Sequence, residues 1–233
     1  MVLDGATGTE LLRRGVPTPL PLWSAGAIRS HPGVLEAIHR DYAVAGADIV
    51  VANTFRTNVR TLRNARMVDD GPALNRDAVA LARRGVAAVA RRVWVAGSVA
   101  PVEDCYRPEL VPADAVLERE HRQMAEWLAA AEADALWIET MNTAREALAA
   151  ARAARRTGVP FTVSFVVRED GDLLGGDPLE VAVAHVEEAG AMAVGLNCIP
   201  PRGMTRNLPR LRAATKLPLI AYAHIGNPEP TNG

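Results

Sequence analysis

Hydrophobic and polar positions along the chain repeat one pattern. An amphipathic run closes at a glycine, two or three residues intervene, and an unbroken apolar run follows. Ala45-Gly46-Ala47-Asp48 leads into Ile49-Val50-Val51-Ala52, Thr157-Gly158-Val159-Pro160 into 161–167, and Ala189-Gly190-Ala191 into 192–196. Glycine takes the left-handed conformation that ends a helix, and a short apolar run without alternation marks a strand buried on both faces. The segments before these glycines and apolar runs carry helical spacing, as in Leu35, Ile38, Tyr42 and Ala45, or Leu117, Met124, Leu128 and Ala131. Asp177-Pro178-Leu179-Glu180 predicts a helix start, with Asp177 as N-cap, Pro178 at the first helical position and Glu180 completing a capping box.

Strand candidates fall at Val2-Leu3, 49–52, 93–97, 135–138, 161–167, 193–196 and 217–221, each separated by helical material. Seven such units predict an α/β fold with a parallel sheet, and at this number a TIM (β/α)8-type barrel with the eighth unit missing. An open doubly wound sheet is the alternative, since right-handed crossovers reach both from the same string. Gly5-Ala6-Thr7-Gly8 lacks the G-x-G-x-x-G spacing that would favour a dinucleotide-binding sheet. The turn-rich stretch 227–233 ends the sequence where an eighth unit is expected. A seven-stranded barrel has an open seam, so a second copy of the chain or a further segment is expected to cover it.

Composition narrows the class. A chain of 233 residues, 49% hydrophobic and 23% charged, can build one sizeable core, and a single domain over 1–233 is expected. The 26 basic and 27 acidic residues are interspersed and leave a net charge of -1, which gives no pull toward nucleic acid or anionic lipid. No apolar stretch approaches the ~18 residues of a membrane span, and Met1-Val-Leu-Asp-Gly lacks the form of a secretory signal; a cytoplasmic protein is expected. Two cysteines, Cys105 and Cys198, are too few for a disulfide framework and read as free thiols or metal ligands.

In a βα barrel the active face lies at the C-terminal strand ends, so the polar residues directly after each apolar run are the candidates. They are Asp4, Asn53 and Thr54, Ser98, Glu139 and Thr140, Asn197 and Cys198, and His224, with Ser164 inside its own run. Such a set suits a zwitterion: Asp4 and Glu139 for an ammonium, and the backbone N–H groups of the Gly5 to Gly8 turn for a carboxylate. Asp4 has a structural alternative, capping the turn from Thr7 to Glu10. Glu139 follows Leu136-Trp137-Ile138 directly, where an ionised group needs a partner, and this favours function over structure. Paired acids also suggest a glycosidase, but 4% aromatic content leaves little for sugar stacking.

Leu3-Asp-Gly-Ala-Thr-Gly-Thr-Glu-Leu11, Leu22-Trp-Ser-Ala25, Ala45-Gly-Ala-Asp48 with Asn53-Thr-Phe55, Val95-Ala-Gly-Ser98, Ile138-Glu-Thr140 and Gly195-Leu-Asn-Cys198 followed by Pro200-Pro201 together resemble the homocysteine S-methyltransferase family in order and spacing. The resemblance implies a TIM barrel that transfers a methyl group to the thiol of homocysteine, or a close thiol or selenol analogue, giving methionine. It implies zinc, with Cys198 as the first of three cysteine ligands, and places Asp4 and Glu139 on the homocysteine amino group. Catalytic candidates are therefore Cys198, Glu139 and Asp4, and substrate-binding candidates Asp4, Gly5, Thr7, Asn53, Glu139, Thr140, Ser164 and Asn197. Zinc would hold the substrate sulfur as thiolate, ready to attack a methyl donor. The family's Gly-Gly-Cys-Cys ligand pair is not in the sequence, and Cys105 and His224 are the substitutes that Cys198 has at hand; His224 stands where relatives carry asparagine. S-methylmethionine, S-adenosylmethionine, betaine and a corrinoid all fit as donor. A non-catalytic amino-acid-binding or regulatory barrel that has lost its zinc site is the alternative function.

Overall fold

The computed structural model describes residues 1–224; the predicted turn-rich stretch 227–233 lies outside them. Six strands, β1 (Ile49–Ala52), β2 (Trp94–Val99), β3 (Ala135–Met141), β4 (Phe161–Phe165), β5 (Val194–Asn197) and β6 (Leu219–Tyr222), form one sheet in chain order. Helices α1 (Thr7–Arg13), α2 (Ala27–Ser30) and α3 (Pro32–Ala45) precede β1, and α4 (Val59–Asn64) and α5 (Gly71–Val86) follow it. Single helices α6 (Asp114–Ala130), α7 (Ala144–Thr157), α8 (Leu179–Glu188) and α9 (Pro201–Ala214) connect the remaining strands. Sequential strand order with a helix in every crossover is the connectivity of a partial TIM barrel. The expected strand at Val2-Leu3 is reduced to a single parallel bridge from Leu3 to Ile49. Two apolar residues are too few for a ladder before Asp4-Gly5 turns the chain into α1. No helix among the described residues is long and apolar enough to cross a membrane.

The chain divides into two compact units. The first holds Met1–Ser98 with Glu126–Leu136. Its strands β1 and β2 run parallel with Ile49 opposite Trp94 and Ala52 opposite Gly97. An aspartate before an incoming strand sets the pairing: Asp48 accepts the Val2 N–H at 2.7 Å, and Asp134 accepts the Val95 N–H at 2.7 Å while pairing with Arg83 at 3.0 Å. The predicted glycine stop of α3 is present, Gly46 lying at φ 111°. Ile28, Leu35, Leu62, Leu74 and Leu81 pack into one cluster, and Leu11, Val16 and Ile38 into another.

Helix α3 lies close against α5. A Cβ on Gly85 would stand 2.7 Å from the Glu36 carbonyl oxygen and 2.9 Å from the Arg40 nitrogen, so only glycine lets the two backbones approach. His39 is sealed in this contact, fully buried, with neither ring nitrogen hydrogen-bonded among the described residues. Burial pushes its pKa down to about 4.

The second unit holds Val99–Ala125 and the described residues from Trp137 on. Strands β4, β5 and β6 are parallel, with Ser164, Gly195 and Ile220 in one row and Asn197 opposite Tyr222. Helix α7 presents a face of buried alanines from Ala144 to Ala154 and ends at Gly158, φ 75°. The run expected to be a strand over 161–167 stops at Phe165, and Val167 bridges antiparallel to Leu173 in a hairpin. The expected capping box at α8 does not form. Helix α8 starts at Leu179 without a side-chain cap; Asp177 instead accepts the Ala144 N–H at 2.7 Å, capping α7, and Glu180 pairs with Arg210. The sequence pattern names a good cap but not which helix receives it. Glu146 and His121 are buried together, Nε2 to Oε1 3.1 Å, and the same oxygen accepts the Val102 N–H at 2.8 Å, tying down the segment after β2.

The α3–α5 contact sets two expected outcomes. Gly85→Ala should destabilise the protein by about 1–3 kcal/mol, read as a lower midpoint of denaturant unfolding, because backbone rather than a flexible side chain must give way; an unchanged midpoint would contradict the contact. His39 is neutral in the folded state and takes a proton in the unfolded chain below its ordinary value of about 6.5. Its contribution is therefore complete above pH 6.5 and is lost as pH falls toward 4, by about 3 kcal/mol over that window. His39→Leu should flatten that part of the stability–pH curve, and an undiminished slope in the variant would assign it elsewhere.

Candidate active site

The first unit holds four of the substrate-binding candidates. Asp4 lies before the N-cap position of α1, which Ala6 occupies without a side-chain bond. Its Oδ2 accepts the Val51 N–H at 2.9 Å, so the carboxylate is anchored to β1. The glycines after it answer to aromatic packing: a Cβ on Gly5 would lie 2.6 Å from the Tyr42 hydroxyl, and one on Gly8 2.4 Å from the Trp23 ring. Thr7 opens α1. Asn53 is buried, with its oxygen taking the Ser24 hydroxyl proton at 2.7 Å and its Nδ2 donating to the Ser24 carbonyl at 2.7 Å. That exchange holds the segment 23–26 against the end of β1 and occupies much of the amide.

In the second unit the ends of β3 and β5 meet. Asn197 accepts the Thr140 N–H at 2.9 Å through Oδ1 and donates to Thr140 Oγ1 at 2.8 Å through Nδ2, which also lies 3.2 Å from the Cys198 sulfur. Thr140 and Cys198 both adopt left-handed backbone, φ 62° and 53°. For a β-branched threonine this is an outlier that costs on the order of 1–3 kcal/mol and persists only where surroundings impose it. The Asn197 side chain imposes it here, bonding Thr140 at two points.

Glu139, next to Thr140 and half-buried, accepts the Tyr222 hydroxyl proton at 2.8 Å on Oε2, and the Trp137 indole N–H donates to the Tyr222 oxygen at 3.3 Å. Ser164 is fully buried on β4, beside the space left by Gly195, whose Cβ would come within 2.7 Å of its oxygen. The Ser164 hydroxyl has no hydrogen-bond partner among the described residues. Cys198 is half-buried, and Tyr106 donates to its carbonyl at 3.3 Å. Burial pushes the Cys198 thiol up to about 11, and the Glu139 carboxylate adds to the rise. Such a thiol is protonated at neutral pH and is not a nucleophile unaided; a metal cation reverses this by favouring the thiolate.

The substitute zinc ligands do not assemble. Among the described residues no three His, Cys, Asp or Glu side chains converge where a metal could sit, which corrects the expectation of a Cys198, Cys105 and His224 site. The Cys105 carbonyl takes the Asn142 Nδ2 at 3.0 Å, which fixes that loop with its thiol buried, and His224, two residues past β6, donates its backbone N–H to the Ile199 carbonyl at 3.3 Å. The donor set present is one thiol, which does not by itself fit a zinc ion. Reading only the polar residues after each run overlooked Tyr222 and Trp137. A signal was there for Tyr222, which directly follows the run 217–221; Trp137 shares the Glu139 face two residues earlier, hidden within an apolar run.

The family model described as homocysteine S-methyltransferase matches residues 1–233. A homocysteine S-methyltransferase of Escherichia coli is 32% identical, covering 97% of this chain and 78% of that protein. A selenocysteine methyltransferase of Astragalus bisulcatus is 27% identical, covering 97% of this chain and 76% of that protein. The solved metallated form of the E. coli homocysteine methyltransferase MmuM superposes with a TM-score of 0.91 at 30% identity, over 97% of this chain and 84% of that one. With a family model matched along its whole length and motifs placed at its strand ends, this chain belongs to the homocysteine S-methyltransferase family.

Proposed function

We propose that the chain is an enzyme that transfers a methyl group to the thiol of homocysteine, or to a close thiol or selenol analogue, giving methionine from homocysteine. The observation that carries this reading is the joining of a carboxylate and a thiol, Glu139 and Cys198, at two strand ends that Asn197 clasps together. Glu139 would hold the substrate ammonium in a half-buried setting where a charge-assisted bond is strong. The unpartnered Ser164 hydroxyl offers the same substrate a hydrogen bond. Asn197 and Thr140 serve it by fixing the strand ends. For Asp4 and the Gly5–Thr7 turn, an amino-acid contact rests on the family resemblance alone.

Cys198 is proposed as one zinc ligand, on the same resemblance and on the metallated state of the solved relative. The described residues supply no second or third. The alternative reading is an amino-acid-binding barrel without methyl transfer. Metal analysis of the purified chain separates the two: stoichiometric zinc that disappears in Cys198→Ala, together with methylation of homocysteine, supports the enzyme. A metal-free chain that binds homocysteine without methylating it supports the binder. Asn197→Ala should lower kcat/KM for homocysteine by about 100-fold, since freeing both strand ends allows displacements of the order of 1 Å; wild-type kinetics in this variant would remove the clasp from the mechanism.

A further inference from the structure

We propose that Tyr222 is a positioning residue for Glu139, and that through it the site selects thiols carrying an α-ammonium group over thiols without one. The inference rests on the reading of Glu139 as the ammonium contact and goes beyond it by naming what aims the carboxylate.

The geometry is directional. Indole N–H can only donate, so the Trp137 bond to the Tyr222 oxygen, 3.3 Å, takes an acceptor site on that oxygen. The phenol proton is then free to point at Glu139 Oε2, 2.8 Å away. Trp137 and Glu139 are two residues apart on β3 and so lie on one face, with the Tyr222 hydroxyl between them. Strands β3 and β6 are not neighbours; β4 and β5 lie between them. In a flat sheet three strand spacings would separate them by ~14 Å with side chains standing upright, so the bond closes only because this part of the sheet curves. Burial, reinforced by the Glu139 charge, holds the phenol well above its ordinary pKa, and it remains a donor at every working pH.

A carboxylate on a half-buried strand end has several rotamers, and only some aim it at a bound ammonium. A neutral donor that fixes Oε2 selects among them without cancelling the charge, as an arginine or lysine partner would. Tyrosine is therefore the suitable chemistry for a carboxylate that must still attract a cation.

The test is the affinity of the purified full chain for two ligands, measured calorimetrically: homocysteine, and 4-sulfanylbutanoate, which keeps the thiol and carboxylate and lacks the ammonium. Tyr222→Phe should weaken homocysteine by about tenfold, the scale of one bond to a charged group, and leave 4-sulfanylbutanoate unchanged. Trp137→Phe, which keeps the aromatic filling, should shift homocysteine in the same direction by less. Equal losses for both ligands in both variants, or no loss, would overturn the inference. Glu139→Gln separates it from the reading beneath it. If Glu139→Gln weakens both ligands equally, or neither, the ammonium role of Glu139 is wrong; if it weakens homocysteine alone while Tyr222→Phe and Trp137→Phe do not, only the role of Tyr222 is wrong.

Discussion

The two hydrogen bonds from the Asn197 side chain to Thr140 hold the site together. They join the C-terminal ends of β3 and β5 across the intervening β4, and they compensate the left-handed backbone of Thr140. Glu139 and Cys198 each sit one residue from a bonded atom of this clasp, so the direction of both chemical groups depends on it. An asparagine suits the task because its amide offers a donor and an acceptor at fixed spacing and carries no charge that would compete with Glu139.

Burial of polar groups has different consequences at different places in this chain. Glu146 Oε1 joins His121 and the Val102 N–H and so anchors the segment after β2, which makes this burial architectural. His39 is buried without a partner, and that burial limits stability at low pH rather than serving chemistry. Ser164 is also buried without a hydrogen-bond partner among the described residues, and it lies on the strand beside the clasp, where the proposed substrate would supply the missing bond. The same physical cost therefore reads differently according to whether a ligand can reach the group.

Much of this was legible in the amino-acid order. Glycine stops at Gly46, Gly158 and Gly190 appear as expected and each is followed by a strand, though the strand after Gly158 is shorter than its apolar run, because a left-handed cap is a local requirement that few residues meet. Strand-end logic also drew attention to Glu139, Thr140, Asn197 and Cys198. It did not reveal that Asn197 is spent on Thr140, or that Asp177 caps α7 and not the helix it precedes. In both cases the side chain bonds a backbone far away in sequence.

By itself, then, the sequence determined the alternation of helix and strand, the α/β class and the polar residue types at the strand ends, since each comes from periodicity and from the conformational range of single residues. Tertiary structure alone decided which of those residues bond to one another. Tyr222 reaches Glu139, and Asn197 reaches Thr140, through curvature of the sheet. Curvature accumulates over several strands and leaves no mark on any one of them.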